Sequence, residues 1–189
     1  MINRRLLMLN STLGLLSMAI PANAHKTKNS TKFKLDPIYE PQKVRFLGYP
    51  KGTIVVDPEN HFLYLTLGFG RARRYGVGVG QAGLTFKGKA KILRKAEWPS
   101  WTPTANMIKR HPEKYARYAG GVPGGKDNPL GARALYLFKG RRDTYYRIHG
   151  TTQPNSIGRS VSNGCIRMIN DHVVDLYERV PLGTQVIVL

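Results

Sequence analysis

The stretch from Ile148 to Arg167, IHGTTQPNSIGRSVSNGCIR, holds the residue types most able to do covalent chemistry. Cys165 is the only cysteine in the chain, and His149 closes a strand-like run upstream of it. A lone cysteine with a histidine that can fold back onto it is a candidate nucleophile and general base. The thiolate is the attacking species, and an ordinary thiol is mostly protonated near neutrality. The imidazole of His149 would therefore take the proton and later return it to a leaving group. Residues 150–161 are long enough to bring the chain back. No acidic residue lies between Asp143 and Asp171, so a backbone carbonyl, that of Gly150, is expected to orient the base rather than a carboxylate. Gly164 has no side chain to block a substrate. The backbone N–H groups of Gly164 and Cys165 are candidate donors to a developing oxyanion, each worth on the order of 3 kcal/mol of barrier. Arg167 would share a strand face with Cys165. Its guanidinium could hold a substrate carboxylate, or it could brace the loop.

These groups need a framework, and the flanking pattern describes one. Thr53–Val56 and His61–Leu65 flank the turn residues Asp57–Asn60, which predicts a β-hairpin. Alternating runs follow at 73–79 and 87–95. Pro99 and Pro103 then break the rhythm, and Trp98 and Trp101 either line a cleft or pack on the core. One or two short helices are expected within Thr104–Tyr118, interrupted at Pro112. A Gly/Pro-rich loop spans 120–131. A second hairpin joins Ala132–Phe138 to Thr144–His149. After the central loop a short strand covers 165–168, Asn170 caps a helix over 171–180, and 184–188 closes as a strand. Val173, Leu176, Tyr177 and Val180 share one face of that helix. Many short strands with few short helices predict a mainly-β sandwich or barrel. His61, His111 and His172 read as surface or turn residues. No spacing suggests a metal site, and the glycines at 76, 78 and 80 lack the following helix of a dinucleotide loop, so no metal or cofactor is expected.

The first 24 residues read as a secretory leader: Arg4 and Arg5, an apolar run from Leu6 to Ile20, and Ala22-Asn23-Ala24 after Pro21. A retained membrane anchor is the alternative, although the run is short for a span. Residues 25–50 read as a basic, proline-containing arm, and 51–189 as the main domain. The 189-residue chain carries a formal charge of +19, which favours anionic partners. In an exported protein those are cell-wall polymers and anionic lipid head groups rather than nucleic acid. With one cysteine, no internal disulfide can form.

His149-Gly150-Thr151 followed by Ser162-Asn163-Gly164-Cys165-Ile166-Arg167 resembles the active-site signature of the L,D-transpeptidase catalytic domain: a His, a spacer, then Ser/Thr-His-Gly-Cys with Arg or Asn shortly after. Asn128–Leu135 and Trp101–Thr104 are similar to other segments of that family, and the resemblance covers about residues 51–189. It implies a β-sandwich whose cysteine is acylated by a peptidoglycan tetrapeptide stem, at the bond between the diamino acid in position three and the terminal D-alanine. The acyl group would pass to another stem in a 3→3 cross-link, to an envelope lipoprotein or outer-membrane protein, or to water. On this resemblance Cys165 is nucleophile, His149 base, Gly150 its orienting carbonyl and Gly164 an oxyanion donor. Arg167, Ser162, Asn163 and Trp101 become substrate-binding candidates, and the setting becomes the periplasm or cell envelope. Asn163 departs from the signature, which has a second His there; an amide cannot shuttle a proton. A hydrolase with the same nucleophile, and a non-catalytic cationic wall-binding module, are the competing readings.

Overall fold

The computed structural model describes residues 33–189. The expected leader at 1–24 and most of the basic lead-in after it lie outside the described residues. From Phe33 the chain enters through Asp36, whose carboxylate accepts the Ile38 N–H at 3.0 Å and caps a single 3-10 turn, Pro37–Tyr39. The arm does more than lie on the domain, because β1 (Gln42–Arg45) pairs antiparallel with β4 (Arg71–Gly76) and becomes an edge of the sheet.

Between them run β2 (Ile54–Asp57) and β3 (Phe62–Gly68), joined by the expected turn. There the Asp57 carboxylate accepts from both the backbone and the side chain of Asn60. Beyond β4 come β5 (Val79–Gly80), β6 (Gly88–Glu97), α1 (Ala105–Arg110), α2 (Pro112–Tyr115), β7 (Arg133–Lys139) and β8 (Arg142–His149). Then follow β9 (Ser160–Ser162), β10 (Ile166–Arg167), α3 (Asn170–Arg179) and β11 (Gln185–Val188). Pro112 divides α1 from α2 by opening the second helix, a position where its missing N–H costs nothing.

Among the described residues, nine strands form one mixed sheet in the order β1-β4-β3-β2-β11-β6-β7-β8-β10, and β5 pairs with β9 separately. The β2–β11 and β8–β10 pairs are parallel. The β10 end of the sheet comes round to the segment just past β4, the strand next to the free β1 edge: there Gly78 and Arg167 exchange two backbone hydrogen bonds of 2.9 and 2.7 Å. Ile54, Leu63, Ile92, Leu135, Ile148 and Ile166 are wholly or almost wholly buried inside this near-closed barrel. Val173 and Leu176 of α3, with Val180 just after it, join the same core, as their spacing predicts.

Two features secure α3. Lys95 donates to the carbonyls of Tyr177 and Val180 at the helix C-terminus, at 2.6 and 2.8 Å. On the opposite side, the Asp175 carboxylate accepts from Arg73 at 2.8 Å, from the Tyr75 hydroxyl at 2.7 Å and from Arg179 at 2.7 and 2.9 Å. Asn170 is not the cap that its residue type suggested. It is the first helical residue, and Ile169 precedes it without a side-chain cap. The Asn170 amide instead accepts from the Ala132 N–H and donates to the Thr151 carbonyl. His172 also differs from expectation: it is buried, against Tyr75, and pairs with Glu40 of the arm at 3.2 Å.

Candidate functional site

The parallel pairing of β10 with β8 sets the geometry. Ile166 lies opposite Ile148, and Arg167 opposite His149. Side chains alternate along each strand, so Arg167 and His149 share a face, and Cys165, one residue before β10, falls on that face beside Arg147. Successive same-face positions are roughly 6–7 Å apart, which puts sulfur and imidazole on neighbouring strands in diagonal positions. No hydrogen bond joins them in this structure. The half-buried Cys165 thiol faces the Tyr145 carbonyl at 3.8 Å, and the Arg147 backbone N–H points at the sulfur.

His149 is buried. Its Nδ1 lies within hydrogen-bond distance of the Gly150 carbonyl, so the ring donates there and Nε2 is the unprotonated nitrogen. Burial, aided by the positive charges of Arg167 and Arg147, pushes its pKa down to about 3, against the support of the Gly150 and Leu130 carbonyls. The imidazole is therefore neutral at any ordinary pH. Gly150 owes its identity to a close approach: a Cβ there would run into the Asn170 side-chain oxygen and press on the Ala132 nitrogen. The same asparagine bonds Ala132 and Thr151 on either side of it.

Burial raises the Cys165 pKa, although the Arg147 N–H and the charges of Arg147 and Arg167 pull the other way. At rest the pair is thiol and neutral imidazole. Arg147 is held by a two-pronged ion pair with Asp143, both contacts 3.1 Å, and lies over the Tyr136 ring. Arg167 donates to Gln153 at 3.0 Å and has no carboxylate partner among the described residues. It braces the loop with one nitrogen and retains other donors beside the sulfur.

The loop before Cys165 bonds to itself at two residues. Ser162 is buried, and its hydroxyl donates to the Cys165 carbonyl at 2.6 Å while accepting the Gly164 N–H at 3.1 Å. Ser162 thus clamps the loop from within. The Gly164 N–H, expected to face an oxyanion, is occupied by that clamp because the loop must satisfy its own buried donors. The Cys165 N–H donates to no backbone group outside a strand ladder and remains the available donor here. Gly164 has φ +121°, and a Cβ would meet the Leu84 carbonyl and the Tyr146 ring at 2.6 Å, so only glycine fits.

Asn163 donates to the Tyr115 hydroxyl of α2 at 2.7 Å and accepts from Arg110 of α1 at 3.3 Å. Its amide ties the cysteine loop to the helical segment. Trp101 packs edge-on against Tyr115 and Tyr118 and bridges Val122 through its backbone, so it holds that segment together. Sequence reasoning passed over Tyr115 and Arg147. Strand alternation two residues before His149 points to Arg147, whereas nothing local points to Tyr115.

Residues 51–188 match the family model for the YkuD L,D-transpeptidase catalytic domain. The chain belongs to this L,D-transpeptidase family. Among the curated relatives, the probable L,D-transpeptidase ErfK/SrfK of Escherichia coli K12 is 37% identical over 138 residues, covering 72% of this chain and 43% of the relative. The chain thus spans less than half the length of that relative, and likewise of the E. coli YbiS protein at 41%. A solved Brucella melitensis chain described as a probable carnitine operon oxidoreductase caia is 59% identical, with a TM-score of 0.57, covering 82% of this chain and 96% of that one. That wording describes the Brucella protein. An L,D-transpeptidase from Mycobacterium smegmatis, 20% identical with a TM-score of 0.51 over 72% of this chain and 58% of that one, shares the fold. The mostly-β L,D-transpeptidase architecture matches the fold class expected from the sequence.

Proposed function

We propose that this chain is an exported cysteine L,D-transpeptidase acting on peptidoglycan stem peptides in the periplasm or cell envelope. One observation carries the reading: Cys165, a neutral His149 and an Arg167 without a carboxylate partner share one face of the β8–β10 pair. The charge of Arg167, uncompensated by a carboxylate among the described residues, suits a substrate that bears one. A stem carboxylate paired with Arg167 would cancel one of the charges that depress His149 and so strengthen the base as substrate arrives. Sγ attacks the carbonyl of the diamino acid as its proton passes to Nε2. The Cys165 N–H stabilises the oxyanion, and the C–N bond to D-alanine breaks as His149 returns the proton to the leaving amine. The thioester then accepts an amine, from another stem or an envelope protein, which restores the thiol. The leader-like residues 1–24 support export. Mass spectrometry of the protein with a purified tetrapeptide tests the reading. Wild type gains an acyl adduct and Cys165→Ala does not; an adduct that survives the substitution, or no adduct on wild type, refutes it.

A further inference from the structure

The β3–β4 turn reads Gly68-Phe69-Gly70, and its phenylalanine is fully exposed. Phe69 also holds φ +51°, a left-handed conformation that bulky residues avoid. Packing gives no reason for either feature, because nothing is buried by the ring. Beside it Leu47, 62% exposed, lies over Gly70, so the two side chains form one apolar tip. Around the tip stand Lys43, Arg45, Lys51 and Arg71, all exposed. The stem of Lys51 runs along Gly68. None of the four joins an ion pair among the described residues. Neither 41–56 nor 60–96 contains an Asp or Glu.

Protection of the open β1 edge would account for Lys43 and Arg45, but it leaves Phe69, Leu47, Lys51 and Arg71 unexplained. An apolar tip projecting through a cationic collar is the arrangement that binds an anionic bilayer surface reversibly: the aromatic enters the interface while the cations meet the head groups. We propose that the Phe69/Leu47 tip with its Lys43, Arg45, Lys51 and Arg71 collar docks this protein on an anionic lipid surface. The strand geometry suits such docking. From Arg71 the chain runs through β4 to Gly78, which is bonded to Arg167. At about 3.3 Å per residue, the tip lies roughly 20 Å along β4 from the candidate site, so docking there leaves the site uncovered by the tip itself. The docking does not depend on the reaction proposed above.

The test uses the full chain with vesicles of phosphatidylcholine alone or mixed with phosphatidylglycerol, read by co-sedimentation and fluorescence. F69W should shift its emission to the blue, relative to wild type, on the anionic vesicles only. This local signal is independent of residues 1–32. F69S/L47S should bind anionic vesicles roughly tenfold more weakly or worse, and K43Q/R45Q/K51Q/R71Q should remove the preference for anionic lipid. The proposal is overturned if F69W shows no lipid-dependent shift, or if F69S/L47S binds as wild type. It is equally overturned if the tip proves to join two copies, seen as a dimer without lipid that F69S/L47S dissociates.

Discussion

Asp175→Asn isolates one charge at the point where α3 is fastened to β4. The carboxylate receives hydrogen bonds from Arg73, Tyr75 and Arg179 while three quarters of its side-chain surface is withdrawn from water. Burial alone would raise its pKa; the bonds from Arg179 and Tyr75 and the charge of Arg73 outweigh it and bring the value from 3.8 down to about 2. At about 1.4 kcal/mol per pKa unit, the ionised form contributes about 2 kcal/mol to folding at pH 7. The sign follows from the depressed pKa: the contribution is full well above the unfolded value of 3.8 and is lost as pH falls through 4 toward 2. Asparagine keeps the size but removes the charge and one acceptor oxygen, so at most two of the four donated bonds survive; that loss is the same at every pH, whereas the charge contribution is not. Urea unfolding should therefore show a deficit whose charge-dependent part, about 2 kcal/mol at pH 7, shrinks to about half by pH 3. Thermal unfolding should shift by roughly 4–8 °C. A deficit that is the same at pH 7 and pH 3 would show that shape, not ionisation, matters at this position, and the reasoning would fail.

Two further outcomes follow from the site. His149, held near pKa 3 in the fold against 6.5 when free, costs no stability above pH 6.5 and an increasing amount as pH falls from 6.5 toward 3, because only the unfolded chain takes up the proton. At pH 5 the penalty is about 2 kcal/mol, so wild type should lose that much between pH 7 and pH 5 relative to His149→Gln; equal losses would contradict a neutral buried ring. Asn163→Ala and Tyr115→Phe should each cost about 1 kcal/mol and should be strongly non-additive in a double-mutant cycle, and strictly additive energies would dissolve the tie between α2 and the cysteine loop.

Much of the architecture was legible because it is written locally. The 54–65 and 133–149 hairpins follow from alternating runs around turn residues, and α3 from the spacing of Val173, Leu176 and Val180. Asn170 was misread for an instructive reason. Asparagine before a helical run satisfies a capping rule, but here its amide is committed to Ala132 and Thr151, which are remote in sequence. Ser162 and Gly164 show a related effect of the fold. A hydroxyl and an N–H beside a nucleophile look available until the fold shows them bonded to each other.

The amino-acid sequence by itself determined the cast: one thiol, a histidine at a strand end with a glycine carbonyl after it, an arginine two places beyond the sulfur, and a strongly positive chain. These are matters of residue type, alternation and loop length, which act over a few positions. Tertiary structure decided the rest. The parallel β8–β10 register put the thiol, the imidazole and the arginine on one face, and Gly78 met Arg167 across the sheet. Tyr115, 48 residues away, was brought to Asn163, and Asp175 was set against a tyrosine 100 residues away. Burial then fixed the charge states, since desolvation and nearby guanidinium groups act through space and leave no trace in the local pattern.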